Sequence, residues 1–341
     1  MRHRVLPWSF AILSCVALFC VARFWHRSPY IITPLGTLGG KNSAAYALND
    51  KGQVVGETDD QDGLAHAFLW DRGHMIELDT PGEDHGCACA VNNHSQVVGT
   101  RWTRSGQKHA FLWRQGKMQD LSAFREGECV ASCINDRGQI AGWAQLSNGD
   151  IHACLWEQGH IEDLGTLGGR RSYTRAINNS GHIVGMAQTG QGTLHAFLYR
   201  DGQMQDLGTL GGTNSQANAI NAYDAVVGAA DTTENEWHAF RYAQGKMEDV
   251  SPEKAFSSEA YGINDTGRIV GAAQNASRFG EGDYIWLASD NQPEKWNAPT
   301  GRHLMAGLPG GEPALYINNA NQIAATESLS GKTAALLFSP R

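Results

Sequence analysis

Apolar and polar residues recur along this chain with a period of 43 residues. The most regular phrase is an apolar residue, an asparagine, a short polar turn and then a glycine-rich apolar run. The asparagines that anchor it are Asn49, Asn92, Asn135, Asn178, Asn221, Asn264 and, after a wider gap of 54 residues, Asn318. A period of roughly 40–50 residues is typical of a supersecondary unit that buries its faces only by stacking on copies of itself.

Within one copy, the alternation of apolar and polar residues predicts four short strands. In the first copy these are residues 43–49, 53–58, 66–70 and 74–78. The turn after the first strand ends on Gly52, where the chain needs a positive φ angle. Ser95, Asp224 and Asn321 occupy the equivalent position in other copies, so we expect a positive φ there too. Arg72-Gly73 and its equivalents predict a second tight turn, between the third and fourth strands.

The residues of the strands indicate how the copies pack. One face of the first strand carries small residues, as at Ser43 and Ala45, which fits a strand crowded near a central axis. The third strand carries bulky residues on both faces, such as Phe68 and Trp70. Both faces of each sheet should therefore be covered by neighbouring sheets.

The ends of the chain favour a ring. The seventh copy has only three predicted strands, whereas residues 30–40 align with residues 159–169, a fourth strand and its exit loop. The N-terminal strand can therefore complete the last blade, which leaves only short, protected edges. We predict an all-β fold, a seven-bladed β-propeller of four-stranded blades over residues 30–341. An open β-solenoid is the alternative, and it leaves the displaced strand unexplained.

Composition and net charge indicate a folded domain and restrict the class of partner that it can bind. With 18% charged residues, 41% hydrophobic residues and 40 glycines, the chain suits a turn-rich β domain rather than a disordered one. The formal net charge is -8 and lysines and arginines are not clustered, which argues against a nucleic-acid partner. We expect a monomer without a cofactor.

The N-terminus predicts export. Arg2 and Arg4 precede the apolar residues 5–22, so residues 1–29 are expected to be a signal peptide or an N-terminal membrane anchor. In the first case the protein is secreted, periplasmic or at the cell surface. In the second it is anchored by a single membrane pass with the propeller outside, and this segment is its only membrane contact.

Two recurring phrases resemble a known family. Asp-Leu-Gly-Thr-Leu-Gly-Gly occurs at 163–169 and 206–212, and His-Ala-Phe-Leu-Trp at 66–70 and 109–113. Together they resemble the bacterial HAF repeat family over nearly all of residues 30–338. The resemblance implies export and a propeller-like repeat fold, and it implies no reaction and no catalytic residue. The last two copies depart from the family because they lack the histidine.

The histidine of this phrase recurs once per copy in five copies. Because these residues fall on five separate blades, we predict that they hydrogen-bond a nearby turn and that they form no metal site. They are His66, His109, His152, His195 and His238.

Candidate binding residues lie on the loops that follow the second strands and on those that join the blades. Trp102 and Trp237 could stack on sugars or peptides, or pack on their own blades. Asp60 and Asp62 resemble the start of a calcium loop without its remaining oxygen ligands, so an ordinary solvated loop is the alternative. The fifth candidate binding residue is His85, which ends the acidic segment 83–85.

These features predict an exported, non-catalytic binding propeller that recognises carbohydrate or protein outside the cytoplasm through loops on one face. The alternative is a propeller-fold enzyme, a polysaccharide hydrolase or lyase. The sequence has neither a Gly-x-Ser-x-Gly nor a His-Glu-x-x-His motif, and no catalytic residue is predicted.

Five cysteines follow the N-terminal segment, and two pairs of them fall on the first strands of neighbouring blades. If these strands alternate strictly, the paired cysteines face one another. We therefore predict one disulfide between blades, Cys89–Cys133 or Cys87–Cys129. Buried free thiols are the alternative.

Overall fold

The computed structural model describes residues 29–78, 85–103, 105–122, 127–275, 284–289, 292–295, 315–329 and 332–341. Over these residues the chain forms strands and turns without an α-helix, which confirms the all-β class. No helix in this part of the chain could traverse a bilayer. The predicted signal peptide or anchor lies outside the described residues, except for its last residue.

The strands are short, and nearly all pair antiparallel. In chain order the first half comprises β1 Tyr30–Pro34, β2 Ser43–Leu48, β3 Val54–Asp59, β4 Ala65–Asp71, β5 His74–Glu77, β6 His85–Val91, β7 Val97–Trp102, β8 Lys108–Arg114, β9 Lys117–Asp120, β10 Cys129–Ile134, β11 Ile140–Gln145, β12 Ile151–Glu157, β13 His160–Gly165 and β14 Gly168–Ile177. The second half comprises β15 Ile183–Thr189, β16 Leu194–Arg200, β17 Gln203–Asp206, β18 Gly211–Ile220, β19 Val226–Thr232, β20 Trp237–Ala243, β21 Lys246–Asp249, β22 Ala255–Ile263, β23 Ile269–Asn275, β24 Tyr284–Ser289, β25 Gln292–Lys295, β26 Leu315–Ile317, β27 Ile323–Leu329 and β28 Lys332–Pro340.

Consecutive strands pair in groups of four, which we number as units in chain order. Units 1 to 6 are β2–β5, β6–β9, β10–β13, β14–β17, β18–β21 and β22–β25. A single parallel pair, Ile151 with Arg171, joins units 3 and 4 into one eight-stranded sheet. In unit 7, β26, β27 and β28 are followed by β1, with Tyr30 opposite Pro340 and Pro34 opposite Leu336. The N-terminal strand thus pairs with the C-terminal one.

The turn between the first and second strands of each unit has the predicted backbone. Gly52 has a φ of 77°, and the non-glycine residues Ser95, Asp224 and Asn321 adopt φ values of 59°, 60° and 58° at the same position. The second turn is confirmed as well, because Arg72 and Gly73 both have positive φ, at 46° and 89°. Two successive positive φ angles are typical of the type I′ hairpin, whose twist matches that of its strands.

The first strand of units 1 to 6 contains a β-bulge that the sequence did not reveal. The register skips one residue at Tyr46, Cys89, Ser132, Arg175, Asn218 and Tyr261. The bulge brings the first strand close to the second at a glycine, and a Cβ atom on Gly56 would collide with the carbonyl oxygen of Ala44. Side chains beyond each bulge no longer follow the strict alternation expected of the strand.

The core lies between neighbouring units, as predicted from the bulky third strands. Phe68, Phe111, Phe197 and Phe240 are fully buried. Phe68 of unit 1 packs in one cluster with Leu337 of unit 7, whereas Phe111 of unit 2 packs against unit 1. Burial of such a side chain contributes roughly 1.5–3 kcal/mol. Each sheet is therefore covered on both faces, and units 7 and 1 share a core.

Candidate functional site

Each unit has two distinct ends. Because its strands are antiparallel, the turns after the first and third strands lie at one end of the sheet, which we call the turn end. The loop after the second strand lies at the other, the loop end. All five residues predicted to bind a ligand fall at loop ends or beside them.

Asp60 and Asp62 do not form a paired carboxylate site. Asp60 Oδ1 accepts hydrogen bonds from the backbone N–H groups of Asp62 and Leu64, both at 2.9 Å, and its Oδ2 lies 3.2 Å from His66 Nε2. The bond from Leu64, with a smaller contribution from His66, holds the pKa of Asp60 below its usual value. Asp60 therefore stabilises its own loop, and the Asp62 side chain is exposed.

His85 and Trp102 are brought together. They are directly opposite in the register of β6 and β7, and Trp102 is in turn directly opposite Lys108 on β8. Side chains directly opposite in antiparallel strands share one face of the sheet, with Cβ atoms about 5 Å apart. The three residues therefore form a row at the loop end of unit 2. Trp237 lies apart from them, on unit 5 and opposite Asp231.

The row continues into the next two units. Lys108 Nζ lies 5.7 Å from the centre of the Trp143 ring on unit 3, a cation–π contact. Trp143 in turn meets Tyr173 of unit 4 edge to face, with ring centres 6.0 Å apart and planes at 80°. Trp102, Lys108, Trp143 and Tyr173 are half-buried, whereas His85 is exposed. We call these five residues the loop-end aromatic group.

Sequence reasoning found His85 and Trp102 but missed the other three members. One signal was present, because Trp143 stands where other copies carry small or flexible residues such as Thr100 and Met186. The contacts themselves join residues from three copies, and the period of the repeat does not reveal which side chains meet between copies.

The repeated histidines bind carboxylates near the end of the fourth strand. His195 Nδ1 lies 2.8 Å from Asp206, whose Oδ1 accepts a hydrogen bond from the Gly208 N–H at 2.8 Å. His152 and His238 repeat this arrangement with Asp163 and Asp249. The nearest acidic partners of His66 and His109 are Glu77, at 2.9 Å, and Asp120, at 3.6 Å. These histidines thus lie beside the chain where it leaves the fourth strand, each in a separate unit, and the described residues contain no metal-binding group of three or more His, Cys, Asp or Glu side chains.

Neither predicted disulfide is formed. All five described cysteines are free thiols. Cys89 is the bulge residue of its strand, and its Sγ lies 3.8 Å from the Sγ of Cys87 in the same strand. Cys129 Sγ lies 3.1 Å from Ser122 Oγ, and Cys133 Sγ contacts the Ala141 carbonyl oxygen at 3.7 Å. The prediction assumed strict alternation, which the bulges interrupt.

A cavity of about 240 Å³ lies at the turn ends, where all seven units contribute to its lining. The seven anchoring asparagines surround it and are buried. Each side-chain amide donates a hydrogen bond of 2.9 to 3.2 Å to the carbonyl oxygen of the next asparagine, and Asn318 donates to Asn49. We call this set the asparagine ring.

The residues that follow the asparagines form a second ring at the mouth of the cavity. These rim residues are Asp50, Asn93, Asp136, Asn179, Ala222, Asp265 and Asn319. Six of their backbone N–H groups donate to the Oδ1 atom of the next rim residue, at 2.7 to 2.9 Å. The exception is the N–H of Asn179, because the next rim residue is Ala222, whose methyl group cannot accept a hydrogen bond.

The aspartates of the rim are held by amide groups. Asp136 Oδ2 accepts from the side chains of Asn93 and Asn179, each at 3.0 Å. Burial raises the pKa of Asp136, but the hydrogen bonds from the Asn93 backbone and from the two amides outweigh it and leave the pKa below its usual value. Asp136 is therefore ionised at neutral pH.

No family model matches the chain, and no curated protein matches it by sequence. Solved structures do resemble it. A puromycin-hydrolyzing peptidase from Mycobacterium tuberculosis gives a TM-score of 0.54 at 12% identity, over 86% of this chain and 52% of that one. A lectin from Burkholderia pseudomallei gives 0.53 at 9% identity, over 89% of this chain and 99% of the lectin. An acylaminoacyl peptidase from Pyrococcus horikoshii gives 0.52 at 10% identity, over 84% and 50%.

The chain spans about half the length of the two peptidases and nearly all of the lectin. At these identities the likeness concerns the fold alone. Together with the four-stranded sheets packed face to face, it identifies the fold as a β-propeller type.

Proposed function

We propose that the protein is a closed, seven-bladed β-propeller of the HAF repeat type that is exported and binds carbohydrate at its loop ends. Closure is supported by the pairing of β1 with β28, by the hydrogen bond from Asn318 to Asn49, and by the core that units 7 and 1 share. The family assignment rests on the recurring phrases described above, and export rests on the basic and apolar N-terminal segment.

The loop-end aromatic group carries the proposal of carbohydrate binding. A sugar ring has apolar C–H faces and polar edges, so it binds where an aromatic surface adjoins hydrogen-bonding groups. Trp102 supplies such a surface at the end of β7, and His85 and Lys108 flank it directly across the strands. The contacts among Lys108, Trp143 and Tyr173 fix the inner part of the surface.

Binding fits this group better than catalysis. A glycosidase needs two carboxyl groups about 5–10 Å apart around the scissile bond. The loop-end aromatic group contains no carboxylate. Glu259, on the first strand of unit 6, accepts hydrogen bonds from Gln216, Asn218 and Tyr261, so its carboxylate is already engaged in structural contacts.

A glycan-array screen of the purified full chain tests the proposal, followed by calorimetry with the glycan that binds best. We expect a defined subset of glycans to bind. Trp102→Ala and Lys108→Ala should each weaken binding about tenfold or more, which corresponds to roughly 1.4 kcal/mol. Trp143→Phe should retain binding because it keeps an aromatic ring against Tyr173.

The matched control is Phe256→Ala, which removes an aromatic ring that is 52% exposed near the start of the first strand of unit 6. It should leave binding of the array glycan unchanged. If no glycan binds, or if Trp102→Ala binds as well as the native protein, the proposed carbohydrate site at the loop ends is wrong.

A further inference from the structure

The rim of the turn-end cavity is interrupted at one position, in unit 5. We propose that a neutral sugar ring binds there, with one of its polar groups in the gap at Ala222 and its apolar face against Tyr223. This site lies at the opposite end of the sheets from the loop-end aromatic group and is independent of it.

The lining of the cavity restricts the charge of the ligand. Among the described residues that line it are the carboxylates of Asp50, Asp136 and Asp265 but no lysine, arginine or histidine. Such a surface repels anions. The volume of about 240 Å³ lies just below the roughly 300–1,000 Å³ of typical ligand pockets, so it suits one small ring rather than a chain.

Two of the three carboxylates are already engaged on both sides. Asp50 Oδ2 accepts from the amides of Asn93 and Asn319, at 3.3 and 3.1 Å. Asp136 Oδ2 accepts from Asn93 and Asn179. Asp265 Oδ2 receives only the Asn319 amide, at 2.9 Å, because Ala222 stands where its second donor would be. Asp265 therefore offers an acceptor towards the gap.

The other side of the gap offers a donor. In six units the backbone N–H of the rim residue donates to the next rim side chain, but the rim residue after Asn179 is Ala222, whose side chain cannot accept a hydrogen bond. A group that accepts from Asn179 and donates to Asp265 would complete the rim. A sugar hydroxyl can do both, and so can an acetamido group.

The gap is not forced by the number of units. Because the rim has seven positions, strict alternation of aspartate and asparagine must be interrupted once. An asparagine at position 222 would nevertheless accept from Asn179 and donate to Asp265, so a closed rim was available to this sequence. Alanine leaves that place open.

Tyr223 adjoins the gap and supplies the aromatic surface. It follows Ala222 directly and is 77% exposed, the most exposed large hydrophobic residue of the described chain. The equivalent residues include Lys51, His94 and Arg137, so the aromatic ring and the gap coincide in one turn. An exposed ring on the residue that directly follows the gap can cover the apolar face of a sugar bound there.

The turn that carries both residues is fixed to unit 4. Asp224 Oδ1 accepts a hydrogen bond from Asn178 Nδ2 at 2.9 Å and lies 2.7 Å from His182 Nδ1. Asn221 Oδ1 accepts from the backbone of Tyr223 and of Ala225, both at 3.0 Å. A site held in place before binding loses less entropy when the ligand enters.

Saturation-transfer NMR with free glucose and with free N-acetylglucosamine tests the proposal on the full chain, and calorimetry supplies the dissociation constants. The two sugars separate recognition of a hydroxyl from recognition of an acetamido group. We expect at least one of them to bind. Ala222→Asn should abolish the transfer because it fills the gap, and Tyr223→Ala should weaken binding about tenfold.

Lys51→Ala is the matched control, since it truncates the equivalent exposed residue beside an intact part of the rim. It should not change binding. All these measurements are made on chains that also carry Trp102→Ala, so that sugar bound at the loop ends does not contribute to the signal. Ala222→Asn should melt no lower than the native protein, so that lost binding cannot be ascribed to unfolding. Absence of transfer with both sugars, or equal binding by Ala222→Asn, would overturn the proposal.

Discussion

The side-chain amide of Asn318 donates a hydrogen bond of 2.9 Å to the backbone carbonyl oxygen of Asn49, across 269 positions of sequence. The other six links of the asparagine ring join units that follow one another along the chain. This one joins the last unit to the first, and it does so with the same atoms.

Asn318→Ala should destabilise the protein by roughly 2–4 kcal/mol. The Asn318 carboxamide also accepts hydrogen bonds from the backbone N–H groups of Ala320 and Gln322, so its loss leaves several polar groups of a buried turn without a partner. Urea denaturation measures the change. Lys332→Ala, an exposed substitution in the same unit, is the control and should change stability by less than about 0.5 kcal/mol. Equal stability of the two variants would contradict a structural role for the ring.

Glu57 should make the stability depend on pH. Burial raises the pKa of Glu57, and the nearby Asp59 adds to the effect, although the hydrogen bond from Tyr46 opposes it. Because the folded-state pKa exceeds the unfolded one, the contribution of Glu57 is fully present below about pH 4.5 and is lost as the pH rises through the raised value.

Glu57→Gln removes the titrating carboxyl group and therefore its effect on the pH dependence of stability. The variant should match the native protein in acid and become the more stable of the two as the pH approaches 8, which thermal melts across about pH 4–8 would measure. Tyr46→Phe removes the bond that lowers the pKa, so it should steepen the loss of stability. A difference between Glu57→Gln and the native protein that does not change with pH would refute the assignment.

The backbone conformation of the turns could be predicted from the sequence. Ser95, Asp224 and Asn321 were expected to adopt positive φ because the period aligns them with glycines, and they do. Backbone conformation at a turn is a local property, so aligned copies report on it directly. The pairing of buried aromatic residues with neighbouring sheets followed in the same way from Phe68 and its equivalents.

Contacts between copies were not accessible to the same reasoning. Cys89 lies on a bulge that shifts its strand by one residue, and no turn residue or change of period marks that bulge in the sequence. Ala222 is the one rim position without Asp or Asn, and its significance depends on Asn179 and Asp265, the rim residues on either side of it. The repeat predicts where the strands and turns of each copy lie. The candidate sites depend on contacts between different copies, at positions where the copies carry different residues.

The cysteines should differ in reactivity. Cys87, Cys129, Cys133 and Cys154 are buried, and Cys89 is half-exposed. The contact with Cys89 and burial raise the pKa of Cys87, and burial raises the pKa of Cys133 to about 12, so neither thiol is ionised near neutral pH. Iodoacetamide labelling followed by peptide mass spectrometry should find only Cys89 modified among these five in the native protein. Unfolding in guanidinium chloride should expose all five, and labelling of Cys133 as fast as Cys89 in the native protein would contradict the buried arrangement.

Closure of the seven units into one ring is the central claim, because the turn-end cavity exists only if unit 7 meets unit 1. Ile31 on β1 lies directly opposite Ser339 on β28, and Ile31 is 54% exposed. In the double variant Ile31→Cys/Ser339→Cys, mild oxidation should link the N- and C-terminal peptides, which non-reducing peptide mass spectrometry detects. The control pairs Ile31→Cys with Lys246→Cys on unit 5, which should not cross-link. A closed ring predicts the terminal disulfide in the first variant alone, and its absence there, in a protein that is otherwise folded, would contradict closure.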